Sequence, residues 1–234
     1  MPWFRRSPPA LDLSVTVAVW NRARELEGLL ENVEGFAKEV VVVDGGSDDD
    51  TAEVCRNHPL ARRIEHPWEG HFARIKNASL AAAQGEWILH LDSDERVSPG
   101  LAEQLPWLCA RRVPFYRLPM LWLVEEDPPR FVKSAKHYPC YVPRLLRNLP
   151  QHRYRDDVGP VHPTFPKAVR KQMKKVRDPR ACLLHYCLAW LSRSALTEKA
   201  RDYAAREPGS EETNAAYYLW WQGEHELVDL EDLA

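Results

Sequence analysis

The chain has 234 residues, room for one large domain with its own core. Hydrophobic residues make up 44% and charged residues 28%, which excludes wholesale disorder. With 32 basic and 34 acidic residues the net charge is −2, too balanced for a general nucleic-acid binder.

Chain order then gives the elements. Residues 1–12 read as a loose lead-in rich in Pro and Arg. Leu13 to Val19 is a β-branched apolar run, the pattern of a buried strand. From Arg22 to Val33, helical spacing puts Leu26, Leu29, Leu30 and Val33 on one face. Glu39 to Val43 predicts a second buried strand, followed by a turn at Asp44-Gly45-Gly46-Ser47 in which Ser47 would cap a helix from Asp50. A short strand is expected near Arg62 to Glu65. His71 to Gln84 predicts an Ala-rich helix stopped by Gly85. Glu86 to Leu91 reads as a strand running into Asp92-Ser93-Asp94, and Pro99 to Arg111 as a helix.

Strand–helix alternation predicts an α/β fold, a Rossmann-like, mostly parallel sheet flanked by helices. Beyond residue 112 prolines become dense, and short apolar pieces such as Phe115 to Val124 and Tyr141 to Leu146 predict mixed or antiparallel strands. Ala181 to Tyr186 is a strand candidate. Leu188 to Arg206 and Glu211 to Trp221 are expected C-terminal helices. The organisation is then a lead-in (1–12), an α/β half (13–112), further strands and loops of the same domain (113–187) and C-terminal helices (188–234). In the last helix, Tyr217, Tyr218, Trp220 and Trp221 suit core packing or a dimer contact, with a sugar platform or membrane contact as the sharper alternative.

Lys167 to Arg180 holds seven basic residues and one acid, while the segment from Glu211 on holds seven acids and no Lys or Arg. The basic stretch reads either as a solvated face or as a surface for a phosphate-rich acceptor or a membrane. Five Cys without a CxxC pair argue against a disulfide framework or zinc cluster and fit a reducing compartment. No apolar run nears 18 residues and no secretory leader is readable. A cytoplasmic location, at most peripheral to the inner membrane, is the expectation.

Ligands of open α/β sheets bind beyond the carboxyl ends of the strands. Three predicted strands end there in polar or aromatic groups: Val19-Trp20-Asn21, Asp44 with its turn, and Asp92-Ser93-Asp94. A leaving nucleoside diphosphate needs its charge neutralised, and a hard divalent cation held by carboxylates does this. Asp94 is the first choice for metal contact, and Asp92 suits metal or ribose. Asp44 could accept a base N–H, Trp20 could stack on the base, and Lys76 and Asn77 could meet phosphate or ribose.

The blocks VTVAVWNRARELEGLLENV, EVVVVDGGSDDDT and KNASLAAAQGEWILHLDSDE resemble the opening of family-2 glycosyltransferases, with their GT-A fold. Arg144-Leu145-Leu146-Arg147, Val161-His162, and Leu184-His185-Tyr186 with Lys199 and Tyr203 resemble later elements of the bacterial group that extends lipopolysaccharide cores. The resemblance implies an inverting transfer assisted by Mn²⁺ or Mg²⁺, from a nucleotide diphosphate sugar (a UDP-sugar favoured) to a glycan or lipid-linked acceptor. It implies Asp44 on the base, Lys76 near the nucleotide, Asp92-Ser93-Asp94 as the metal motif and His185 as an extra ligand.

Three departures stand out: Asn21-Arg22 in place of Asn-Glu, Gly45 in place of a second Asp, and Pro163 where a Glu is expected after His162. Inverting transfer needs a base for the acceptor proton. Asp157, then Asp156, are the candidates, with Glu125, Glu126 and Asp127 as a further acidic run. Pro163 also motivates a catalytically degenerate binding protein as the alternative. A nucleotidyltransferase is weaker, since WNRAREL after the first strand lacks a Gly-rich loop. A dehydrogenase lacks its GxGxxG, and a phosphatase would need Thr where Arg96 stands.

Overall fold

The structure, a computed structural model, describes residues 10–219 and 225–233. Its centre is a run of four parallel strands: β1 (Leu13–Val19), β2 (Glu39–Asp44), β3 (Ala61–Glu65) and β4 (Trp87–Asp92), in spatial order β3-β2-β1-β4. Valine-rich strands buried on both faces need helices on both sides. On one face, Val15, Val17, Val40 and Val42 share a core with Leu26, Leu29, Leu30 and Val33 of α1 (Ala23–Val33). On the other, Val41 and Val43 pack on Ile75 of α3 (Phe72–Ala82).

Register decides what the site can be. Val19 pairs with Asp44 on one side of β1, and Ala18 pairs with Asp92 on the other. The carboxyl ends of β2 and β4 therefore flank that of β1 at one rim, as the sequence pattern requires.

The parallel run continues into antiparallel strands. β5 (Glu95–Val97) follows β4, and α4 (Pro99–Cys109) leads to β6 (Phe115–Glu126), β7 (Pro129–Lys133) and β8 (Cys140–Arg147). β8 lies antiparallel between β4 and β6. Short β9 (Met173–Lys175) and β10 (Leu183–His185) run parallel to β6, and β10 also pairs with β5. β11 (Glu226–Asp229) closes on β7. Strands β5, β7, β9 and β11 go beyond the sequence pattern, because each is short and fixed by its partner rather than by its own periodicity.

Several local expectations are corrected. Ser47 does not cap α2 (Thr51–Asn57). Its hydroxyl accepts the Asn21 N–H, while Asp49 accepts the N–H of Thr51 and, through its other oxygen, that of Ala23. One carboxylate thus serves the N-termini of two helices. Gly85 does not end α3, which stops at Ala82. Gly85 lies against the backbone of Ser14, where a Cβ would collide. The helix expected from Leu188 breaks into α6 (Cys187–Trp190) and α7 (Arg193–Arg206), because Ser192 caps a fresh start at Arg193 by accepting the Ala195 N–H. A turn of helix at Lys167–Arg170, α5, precedes them, and α8 covers Glu211–Tyr218. Tyr217 stacks on Trp122 and Tyr218 is buried, which is core packing. Trp220 and Trp221 lie outside the described residues. Among the described residues no helix is long and apolar enough to cross a membrane.

Candidate functional site

The rim at the end of β1 is stitched to the turn after β2. The Val19 carbonyl accepts the Gly45 N–H at 2.8 Å. Asn21, at φ 51°, donates its N–H to Ser47 Oγ and accepts that of Asp48 with its side chain. Asn tolerates this left-handed backbone because its short amide bonds locally. Trp20 beside it is 56% exposed, a free aromatic face at the rim.

Asp44 sits below, fully buried. One oxygen accepts the N–H groups of Gly46 and Ser47, and the other takes Arg63 from β3 at 2.6 Å. Burial alone would raise this carboxyl; the turn hydrogen bonds and the guanidinium outweigh it and leave it lowered. Asp44 therefore shapes the turn and holds Arg63 at the rim. The direct base contact expected from sequence has no exposed oxygen to make it.

On the other side of β1, Asp92 ends β4 inside a charge cluster. Lys76 of α3 donates to its Oδ1 and Arg144 of β8 to its Oδ2, each at 2.5 Å, and Arg144 also holds Glu95 at 2.5 Å. Lys76, Arg144 and Glu95 are all buried. Burial pushes the Asp92 carboxyl up, but Arg144 and Lys76 win and hold it well below the usual range. Glu95, buried beside Asp92, is raised although Arg144 touches it. With both oxygens committed to cations, Asp92 does not fit the role of metal ligand.

Asp94, two residues on at the same rim, has different partners. Its Oδ2 lies 3.4 Å from His185 Nε2 and 4.0 Å from Lys199 Nζ of α7. Burial would raise it; His185 and Lys199 drive it far below the ordinary carboxylate range. Ser93 lies between the two acids, its carbonyl accepting from Arg96. Donor atoms of Asp94, His185 and Cys187 lie within 4.8 Å of one another. A carboxylate and an imidazole fit a divalent ion of the Mn²⁺ type, and a thiol so near favours softer ions over Mg²⁺. The buried His185 Nδ1 has no hydrogen-bond partner, so packing edge-on against Trp122 at 4.2 Å, rather than a second hydrogen bond, holds this ring. Cys187 carried no signal in the sequence, since only the β10–α6 corner brings it here.

Other predicted residues are used differently. The Asn77 amide brackets the backbone of Tyr154, donating to its carbonyl and accepting its N–H, so it anchors the loop after β8 rather than a nucleotide. Asp157 lies at the surface with both oxygens on Arg155, which holds its carboxyl low. A carboxylate so paired is a poor proton acceptor. Asp156 is exposed on the same loop. Glu125 pairs with Arg130, and Glu126 accepts the Trp190 indole N–H.

Residues 14–112 match the family model "Glycosyl transferase family 2". Among curated proteins, the chain is 35% identical over 106 residues to the lipopolysaccharide core biosynthesis glycosyltransferase LpsC of Rhizobium meliloti, covering 44% of this chain and 38% of that one. An uncharacterized glycosyltransferase of Rickettsia bellii is 29% identical over 119 residues, 49% of this chain and 40% of its own. The match thus spans about two fifths of these relatives' length. Among solved structures, the mannosyltransferase PcManGT of Pyrobaculum calidifontis, in complex with GDP-Man and Mn²⁺, superposes with TM-score 0.56 at 19% identity, covering 86% of this chain and 64% of that one. TarS 1–349 of S. aureus gives 0.53 at 17%, covering 84% and 65%. The fold is GT-A, and over residues 14–112 the chain is similar to glycosyl transferase family 2.

Proposed function

We propose that the chain transfers a sugar, with inversion, from a nucleotide diphosphate sugar to an acceptor hydroxyl, assisted by Mn²⁺ or a similar divalent ion. The observation that carries this reading is the single rim on which β1, β2 and β4 present Trp20, the Asp44 turn and the Asp92/Asp94 pair. Trp20 stacks on the base, with a UDP-sugar the first donor to test. Asp44 and Arg63 brace the turn beneath it. Asp92 is held still by Lys76 and Arg144 and is left to meet ribose rather than metal. Asp94 and His185 hold the cation, with Cys187 in reach. When bound, such an ion neutralises the charge growing on the departing diphosphate. Lys199, beside Asp94, adds a second positive charge at the same place.

The acceptor belongs to a cell-surface glycan in this reading, supported by the likeness to LpsC. The exposed bases Lys167, Arg170, Lys171, Lys174 and Lys175 suit a phosphate-rich acceptor or the membrane surface that carries it. The test is calorimetry of UDP and GDP binding with and without Mn²⁺, on the wild type and Asp94→Ala. Metal-dependent binding that the variant loses by at least about 10-fold supports the assignment. Equal binding in both removes it. A binding module without turnover is the second reading, favoured by Pro163 and by the pairing of Asp157 with Arg155.

A further inference from the structure

Transfer to a hydroxyl requires a group that takes the acceptor proton as the oxygen attacks. Asp157 is occupied by Arg155, and Asp92 by Lys76 and Arg144. A further imidazole–carboxylate pair joins the loop after β8 to the end of α7. His162, on the loop after β8, places Nδ1 2.5 Å from Oε2 of Glu207, the residue that ends α7. The imidazole is the outer member, 45% exposed, and the carboxylate the inner one, 28% exposed. Room for that carboxylate is provided by Gly159, where a Cβ would run into the Glu207 side chain.

The pair also stands at the right rim. The His162 ring meets Tyr203 edge-on, with centroids 6.3 Å apart. Lys199 Nζ lies 5.8 Å from the Tyr203 ring and 4.0 Å from Asp94. Phe72 touches Tyr203 from the other side, at 5.9 Å. Phe72 and Lys76 are four apart on α3 and so share a helix face, and Lys76 grips Asp92. Tyr203 thus joins the His162–Glu207 pair to both acids of the Asp92/Asp94 motif. The loop carrying His162 is fixed there by the Asn77–Tyr154 bonds and by the Phe72 N–H on the Pro160 carbonyl.

We propose that His162 is the general base of the transfer and that Glu207 is its positioning residue; this rests on the transferase reading above. With Nδ1–H donated to Glu207, the lone pair falls on Nε2. Nε2 takes the hydroxyl proton while the acceptor oxygen bonds to the sugar's anomeric carbon. The bond from that carbon to the diphosphate breaks, and its electron pair leaves with the nucleotide. The imidazolium that results faces the Glu207 carboxylate and the C-terminus of α7, both of which favour positive charge.

Water can stand in as acceptor, so donor hydrolysis tests the base without a known acceptor. The full chain with Mn²⁺ is incubated with UDP-glucose, UDP-N-acetylglucosamine and GDP-mannose, and released nucleotide is measured beside UDP·Mn²⁺ binding by calorimetry. His162→Asn should lower kcat by at least about 100-fold while binding stays within about twofold. Glu207→Gln should lower kcat by about 10-fold or more with KM unchanged, and Glu207→Asp should restore part of it. Turnover that survives His162→Asn, or a Glu207→Asp variant no better than Gln, overturns the proposal. A wild type that binds UDP·Mn²⁺ but releases nothing overturns the base and leaves nucleotide binding intact. A wild type that neither binds nor releases removes the transferase reading as well.

Discussion

Arg144→Met is the most informative change to the cluster behind Asp92. The guanidinium holds Asp92 and Glu95 at once, and Glu95 is 1% exposed. Removing it leaves Asp92 with Lys76 but gives Glu95 no cation. An uncompensated buried charge costs about 3–5 kcal/mol, a large share of the roughly 5–15 kcal/mol that holds a domain folded. Urea denaturation at pH 7 should show a loss of that size, and the double variant Arg144→Met/Glu95→Gln should recover about 1–3 kcal/mol of it. The pH dependence has a definite sign. Burial already raises the Glu95 carboxyl above the ordinary glutamate range in the native protein, and losing Arg144 raises it further. Above pH 4.5 the native state then keeps a proton that the unfolded chain has released, so stability of the variant falls as pH rises toward the folded value. The deficit at pH 5 should therefore be smaller than at pH 7. A deficit below about 1 kcal/mol at pH 7 would refute the idea that the cluster is electrostatically tight. Equal deficits at the two pH values would remove Glu95 as its cause.

Two other changes separate ligand contact from scaffold. Trp20→Ala should leave stability within about 0.5 kcal/mol, since the side chain is exposed. It should weaken UDP binding by about 1–3 kcal/mol if the ring stacks on the base; calorimetry that finds no change removes the stacking role. Asn77→Ala should cost about 1–3 kcal/mol by leaving the Tyr154 backbone unpaired. Limited proteolysis should then cut the loop after β8 faster, while UDP affinity is retained; lost affinity with an intact loop would return Asn77 to the nucleotide.

The parallel half was readable because its signals are local. Apolar runs that end in Asp44 and Asp92 fix strand, direction and rim together, and α1 declares itself by its Leu spacing. What each acid does at the rim was not readable, because its partners come from distant elements. Arg63 reaches Asp44 only through the β2–β3 register, and Arg144 reaches Asp92 only because β8 runs antiparallel to β4. Asn77 looked like a ligand because helix spacing says which residues share a turn, not which loop will lie across them. Glu207 gave no signal at all: its neighbour His162 meets it only after α7 folds back over the loop.

In the proposed site, the grip on the cation is shared between a stretch that matches the family model and one that does not. Asp94 follows β4, inside the stretch that matches the family model, whereas His185 arrives on β10, outside it. A fragment ending at residue 112 would keep everything by which the family is recognised and forfeit the imidazole, the thiol and Lys199. Recombining such a fragment with another protein's C-terminal part would thus exchange half of the proposed coordination sphere while leaving the proposed nucleotide rim untouched. Ion preference is a property that chimeras could reset on its own.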